Sequence, residues 1–232
     1  MPAPIHLHPT APLAPRVLLP GDPGRALTLA QALLTEPRMF NHNRGLWGYT
    51  GEATDGAPLT IQSTGMGGPS AAIVIAELAE LGARTLVRTG TCGALDDSLA
   101  LGDLLVVTEA LAADGSSRAL GAGERVAGDP ELLAALTAAD GAGAAGPVVS
   151  CDLFYDGPAG AERDWLAAGA LAVEMEAATL FALARRRRLR AGCALIISDV
   201  LLPSRCRIDA DALRDAELRL GELALAALAN SA

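Results

Sequence analysis

Apolar positions along this chain switch repeatedly between two periods. Short runs of apolar and β-branched residues predict strands at 16–20, 59–63, 84–88, 104–108, 148–151 and 193–197. Between them apolar residues recur at three- and four-residue spacing, predicting helices at 25–34, 71–81, 130–139, 177–188 and 209–230. Pro69 suits the first turn of a helix, and the arginines at 185–188 suit a helix end, where the dipole favours cations. The segments 110–128 and 141–146 are rich in small residues and read as a loop and a flexible connector. Strands alternating with helices predict an α/β protein with a largely parallel, crossover-connected sheet. No internal boundary divides 1–232, so a single domain is expected, with 1–15 as a Pro-rich arm.

The stretch 171–200 organises the rest. Two acids, Glu174 and Glu176, close one strand, a helix follows, and a second strand ends on Ser198 and Asp199. In open α/β sheets ligands bind beyond the carboxyl ends of strands, so these acidic ends should lie side by side at one site. Alternation along a strand would turn Glu174 and Glu176 to opposite faces, one toward a ligand and one away or capping the helix. A carboxylate ending an apolar strand is partly desolvated, which favours Asp199 as a general acid.

Three glycine-containing turns follow predicted strands, at Gly21, Gly65–Gly68 and Gly90–Gly93. Glycine lets backbone N–H groups approach an anion and form a nest. Arg25 follows the first turn and Arg88 precedes the third, so a phosphate-like ligand is implied. None of the turns reads GxGxxG, which leaves a dinucleotide site without support.

Composition narrows the chemistry. The net charge of −9 argues against nucleic-acid or acidic-membrane partners. All basic side chains are arginine, which excludes Schiff-base and Walker-lysine chemistry and leaves anion binding to guanidinium forks and backbone amides. Cys92, Cys151, Cys193 and Cys206 show no metal-site spacing and read as reduced structural thiols, with Cys92 the one nearest a glycine turn. No apolar run reaches membrane-span length, and the N-terminal residues lack a signal-peptide pattern, so a cytoplasmic location is expected. Phe154 and Tyr155 are either core or a stacking surface for a base, and His6 and His8 lie in an arm expected to be mobile unless it docks on a neighbouring subunit.

Several segments, taken in order, resemble one family: VLLPGDPGRA (17–26), NHNRGLWGYTG (41–51), STGMGGPSAAI (63–73), RTGTCGAL (88–95), CDLFY (151–155), VEMEAATLF (173–181) and ISD (197–199). They are similar to the nucleoside phosphorylases of the hexameric purine nucleoside phosphorylase and uridine phosphorylase superfamily. The resemblance implies one α/β domain with a twisted, partly barrel-like mixed sheet. It also implies reversible phosphorolysis of an N-glycosidic bond, with inorganic phosphate as co-substrate and no metal or organic cofactor. Carried over by residue, Gly21, Arg25, Arg88 and Thr91 resemble the phosphate site, and Arg44 the arginine supplied by an adjacent subunit. Glu176 resembles the acid on the ribose hydroxyls, with Met66 and Met175 lining the sugar. Phe154 and Val173 resemble base-pocket walls, with Glu174 beside them. Ser198 and Asp199 resemble the pair near purine N7, Asp199 donating the proton. His6, or alternatively His8, resembles the arm histidine that reaches a neighbour's ribose. A homohexamer built as a trimer of dimers is implied.

Two departures from the family pattern matter. The arginine that assists Asp199 is best matched by Arg214, but the differing length of 201–211 leaves Arg205 and Arg207 open. The segment between Tyr155 and Val173 is short, with Arg163 but no matching glutamine, which with the ISD ending favours purine over uracil. Uridine phosphorylase, methylthioadenosine phosphorylase, a water-using nucleosidase and a non-catalytic storage homologue are the alternatives.

Overall fold

A computed structural model describes residues 4–230; residues 1–3 of the expected arm and 231–232 lie outside it. The chain runs β1 (Arg16–Leu19), α1 (Pro23–Leu33), β2 (Leu34–Asn41), a 3-10 turn (Asn43–Gly45), β3 (Gly48–Ala53), β4 (Pro58–Gln62), α2 (Gly68–Leu81), β5 (Thr85–Ala94), β6 (Leu104–Ala112), α3 (Gly115–Ala119) and β7 (Arg125–Ala127). It continues through α4 (Pro130–Ala138), β8 (Ala144–Ser150), α5 (Ala161–Ala167), β9 (Ala172–Glu174), α6 (Ala177–Arg187), β10 (Arg190–Val200), β11 (Cys206–Arg207) and α7 (Ala210–Asn230). Aspartates start several helices by accepting a backbone N–H: Asp22 for α1, Asp114 for α3, Asp129 for α4 and Asp209 for α7.

One sheet holds all the described strands, in the order β11-β10-β6-β8-β9-β5-β1-β4-β3-β2, with β7 on β6. An added pairing between β10 and β5 closes β5, β10, β6, β8 and β9 into a ring, and this is the barrel-like part. The sheet is mixed rather than largely parallel. Pairs β1–β4, β1–β5, β5–β10, β6–β8 and β8–β9 are parallel, whereas β2–β3–β4, β6–β10 and β5–β9 are antiparallel. Helices α2 and α6 cover one face through Val74, Ile75, Leu78, Leu180 and Phe181. Helices α1, α4 and α7 cover the other through Leu29, Leu33, Leu132, Leu136, Leu220 and Leu223. Each such side chain contributes about 1.5–3 kcal/mol by leaving water.

The glycine run expected to turn after 88 instead stays in strand β5 to Ala94. Strand β10 pairs it residue by residue, Thr89 with Ala194 through Cys92 with Ile197. Its glycines answer to packing. A Cβ at Gly90 would lie 2.7 Å from the Arg88 guanidinium carbon, and one at Gly93 would lie 3.0 Å from the Leu201 side chain. On its other edge, β1 pairs only 85–88 and β9 only Gly93 and Ala94. Residues 89–92 therefore have a strand neighbour on the β10 side alone, and the sheet opens there.

Other local differences have similar causes. The 110–128 segment contains the end of β6, α3 and β7, and β8 begins inside the expected connector at Ala144. The arm is anchored to its own chain rather than loose. Leu7 is fully buried, and Glu77 on α2 accepts the N–H groups of Ile5, His6 and Leu7 at 2.7–3.1 Å together with the His6 ring. Burial pushes the Glu77 carboxyl up, but these hydrogen bonds outweigh it and hold its pKa below the ordinary value.

Candidate functional site

The opening beside 89–92 is framed by the ends of β1, β4 and β9. Arg88, its side chain 6% exposed, points into this space and is gripped by two carboxylates: Nε donates to Glu174 at 3.0 Å, and NH2 lies 2.5 Å from Glu176. The two acids therefore share one guanidinium instead of facing opposite sides. The strand ends at Glu174, and Glu176 has already left extended geometry, with φ −138° and ψ −20°, as it caps α6. Glu176 also accepts the Gly67 N–H at 2.5 Å, which joins the second glycine turn to the site.

Glu174 does not face a base pocket. Its carboxylate accepts from Arg88, the Ser150 hydroxyl, and the N–H groups of Glu176 and Ala177. Burial raises its pKa, while Arg88 and the Ser150 hydrogen bond pull the other way. Arg88 is buried too, which by itself would weaken its hold on a proton, but Glu176 and Glu174 outweigh that and raise its pKa. Glu174 is thus a support that fixes Arg88 and the start of α6.

Arg25 enters from the first turn of α1 and is also buried. Its Nε donates to Glu217 of α7 at 2.8 Å and its NH1 lies 3.5 Å from the Thr89 carbonyl. Gly21 packs against the second glycine turn and Arg88: a Cβ there would lie 3.3 Å from the Gly65 carbonyl oxygen and 3.9 Å from Arg88 NH1. Thr91 is half-buried on the open part of β5, Met175 and Val173 are half-buried, and Met66 is 85% exposed at the rim. Arg88 and Glu176 line one small cavity with Leu19, Thr64 and Leu180, and Gly21 and Arg25 adjoin it through Arg88 and the Thr89 carbonyl.

Arg44 and His6 are elsewhere on the chain's own surface, near each other. Arg44 is exposed on the 3-10 turn with φ 58°, a left-handed geometry braced by buried Asn41, whose amide donates to Leu46 O and whose Oδ1 accepts from His8 N–H and Asn43 N–H. Asn43 donates in turn to the His6 carbonyl at 2.8 Å. The His6 ring uses Nδ1 on Glu77, at 2.7 Å, while His8 is exposed and turns back onto Ile5 O.

The far end of the site is built by a β-bulge. Ile197 pairs Cys92 and Asp199 pairs Gly93, so Ser198 is an extra residue in β10. Bulges re-aim side chains, and here the Ser198 hydroxyl lies 3.2 Å from the Cys92 carbonyl and 2.9 Å from Asp199 Oδ2. The arginine on Asp199 is Arg205, not Arg214: its Nε and NH2 reach Oδ1 at 3.0 and 2.9 Å. Arg214 lies exposed on α7. The reason is the hairpin of β10 with β11, which returns the 201–207 loop across Asp199. Arg205 also lies over the Phe154 ring at 4.6 Å, and Phe154 meets Tyr155 edge to face. Arg88 and Gly93, the partner of Asp199, are five residues apart on β5, roughly 17 Å of strand, less the reach of the two side chains. That span suits a ligand with an anion at one end and a proton-accepting group at the other.

The buried thiols offer no rival chemistry. Burial pushes Cys92 and Cys193 far above the usual thiol range and Cys151 up to about 11, so none supplies a thiolate near neutral pH.

Residues 15–229 match the Phosphorylase superfamily. The chain belongs to that superfamily. A guanosine phosphorylase of Halorubrum lacusprofundi is 42% identical over 180 residues, 75% of this phosphorylase and 74% of its own length. A DeoD-type purine nucleoside phosphorylase of Jannaschia sp. is 40% identical across 82% of this chain and 84% of its own. A uridine phosphorylase of Treponema pallidum is 38% identical, with 78% and 76% covered. Sequence reasoning singled out Arg25, Arg88, Glu174, Glu176 and Asp199, which the fold ties into buried ion pairs, but not their neighbours Glu217 and Glu77, which look like ordinary solvated charges on amphipathic helices. No local signal marks either one, because each meets its partner only across a tertiary contact.

Proposed function

We propose that this phosphorylase cleaves purine ribonucleosides and 2′-deoxyribonucleosides with inorganic phosphate, reversibly giving the free base and the pentose 1-phosphate. The observation that carries this reading is Asp199, buried at the bulge of β10 with Ser198 and Arg205 on its oxygens, one strand away from the anion site of Arg25 and Arg88. Breaking the glycosidic bond builds positive charge on the pentose and negative charge on the departing base. Phosphate held at Gly21, Arg25, Arg88 and Thr91 offsets the first and attacks the anomeric carbon. Asp199 gives a proton to N7, and Arg205 stabilises the carboxylate left behind. Glu176 takes the ribose hydroxyls, since each of its engaged oxygens keeps a second lone pair. Met66 and Met175 line the sugar, and Phe154 and Val173 face the base. These groups supply both charge compensations, so no metal or organic cofactor is required.

Uracil reading has less support. The short 156–172 segment leaves Arg163 exposed on α5. Arg44 and His6 share a surface flanked by Ile5, Met39 and Trp47, which are 75%, 39% and 39% exposed. That surface supports an assembly in which each chain completes a neighbour's site; we read the assembly as a homohexamer arranged as a trimer of dimers, and its location as cytoplasmic.

Incubation with inosine, guanosine, adenosine and uridine, with and without phosphate, tests the reading. Base and pentose 1-phosphate should form from the purine nucleosides, and only with phosphate. Preferred cleavage of uridine would overturn the base assignment, and phosphate-independent release of base would make the enzyme a hydrolase. The Arg205 contact has its own test. Arg205→Gln should lower kcat roughly two- to tenfold, a modest effect because the side chain is 43% exposed and screened. Arg214→Gln should leave kcat unchanged, and the reverse ranking would return Arg214 to the role.

A further inference from the structure

Helices α1 and α7 come unusually close at one point. Gly221 of α7 has no side chain, and a Cβ there would lie 2.5 Å from Leu29 Cδ2 and 3.2 Å from Leu33 Cδ1 of α1. One helical turn earlier on each helix, four residues back, stand Arg25 and Glu217. The close approach of the glycine brings these two into a largely buried pair, with side chains 7% and 14% exposed. The carboxylate takes only the Nε edge of the guanidinium, at 2.8 Å. NH1 makes a long 3.5 Å contact to Thr89 O. NH1 therefore lies on the side of β5, where an anion would bind. A guanidinium has five donors in a fixed plane, so fixing Nε fixes the direction of the other two nitrogens.

We propose that Glu217 is a positioning residue for phosphate, acting through Arg25. This rests on the reading of the chain as a phosphate-using enzyme. Glu217 touches no reacting atom; it orders the guanidinium in advance, so that phosphate binding need not immobilise it. Its negative charge also opposes phosphate, so the two effects separate on substitution. Glu217→Ala removes the anchor and the charge together, whereas Glu217→Gln keeps an acceptor oxygen at the same place.

The test is steady-state kinetics of five proteins, wild type, Glu217→Ala, Glu217→Gln, Arg25→Ala and the Arg25→Ala/Glu217→Ala double variant, with phosphate and inosine varied separately. Glu217→Ala should raise the phosphate KM roughly three- to tenfold, the scale of one partly buried charged hydrogen bond. Its inosine KM and its kcat at saturating phosphate should stay within about twofold of wild type. Glu217→Gln should restore most of the phosphate KM. In an Arg25→Ala background, adding Glu217→Ala should cost nothing further. An unchanged or lowered phosphate KM in Glu217→Ala, an equal rise in inosine KM, or an additive effect in the double variant would overturn the proposal. If wild-type protein releases base without phosphate, the functional reading itself fails. If wild type depends on phosphate but the variants do not follow this pattern, only the role of Glu217 fails.

Discussion

In the Asp199→Asn variant, kcat on inosine and adenosine should fall about 10²-fold or more, with the phosphate KM near that of wild type. Asparagine keeps the shape and, with its oxygen turned to Arg205, can accept from the guanidinium while its amide donates to the Ser198 hydroxyl, but it has no acidic proton to give. General acid catalysis is typically worth about 10²–10⁴-fold, or roughly 3–5 kcal/mol of barrier. Phosphate binding is spared because Arg25 and Arg88 are held by other partners, Glu217, Glu174 and Glu176. The decisive comparison is 7-methylguanosine, whose N7 is already alkylated and cationic, so its base leaves without protonation there. Its cleavage should largely survive in Asp199→Asn. Equal losses on 7-methylguanosine and inosine would leave Asp199 a role in substrate placement only.

Arg88→Ala is expected to act twice, on phosphate and on the fold. A charged hydrogen bond is worth ~1.5–3 kcal/mol, so the phosphate KM should rise roughly tenfold to hundredfold at 1.4 kcal/mol per decade. The same change leaves Glu174 and Glu176, both buried, without their shared cation. Removing one partner from a buried charge cluster costs about 3–5 kcal/mol, which in a domain of this size lowers Tm by on the order of 10 °C. Solvent does not screen this loss, since the three side chains are at most 8% exposed. Arg88→Lys keeps a charge but cannot donate along two edges at once to Glu174 and Glu176, so its Tm should fall between those of wild type and Arg88→Ala. Thermal unfolding and phosphate titration check both parts. An unchanged phosphate KM in a folded Arg88→Ala protein would remove this residue from the anion site.

Much of the molecule was legible from local pattern. The helices α1, α2, α4, α6 and α7 follow apolar spacing, and each packs the stripe that the spacing marks. Gly21 follows the end of β1 and Asp199 stands near the end of β10, as the pattern marked, whereas Arg88 lies inside β5, which continues to Ala94. Strand β2 was hidden: it is an edge strand with Pro37 inside it and Glu36 at φ 47°, so neither alternation nor β-propensity announces it. Strand β3 contains two glycines, which weaken the same signals.

The glycines of β5 show where local reading stops. In isolation TGTCG is turn-forming, since glycine frees the backbone. In the fold it is a strand, and its glycines make room for the Arg88 guanidinium and for Leu201. Glu174 and Glu176 behave likewise: alternation separates them in a strand, but β9 ends between them and both turn onto Arg88. Sequence by itself determined which residues carry charge, which faces are apolar, and that arginine, not lysine, is the cation available to an anion. Only the tertiary structure decided that Arg205 meets Asp199, through a hairpin, and that Glu217 meets Arg25 across 192 residues of chain. The physical reason is that periodicity encodes the face each residue presents, whereas the partner it meets is set by which helices and strands pack together.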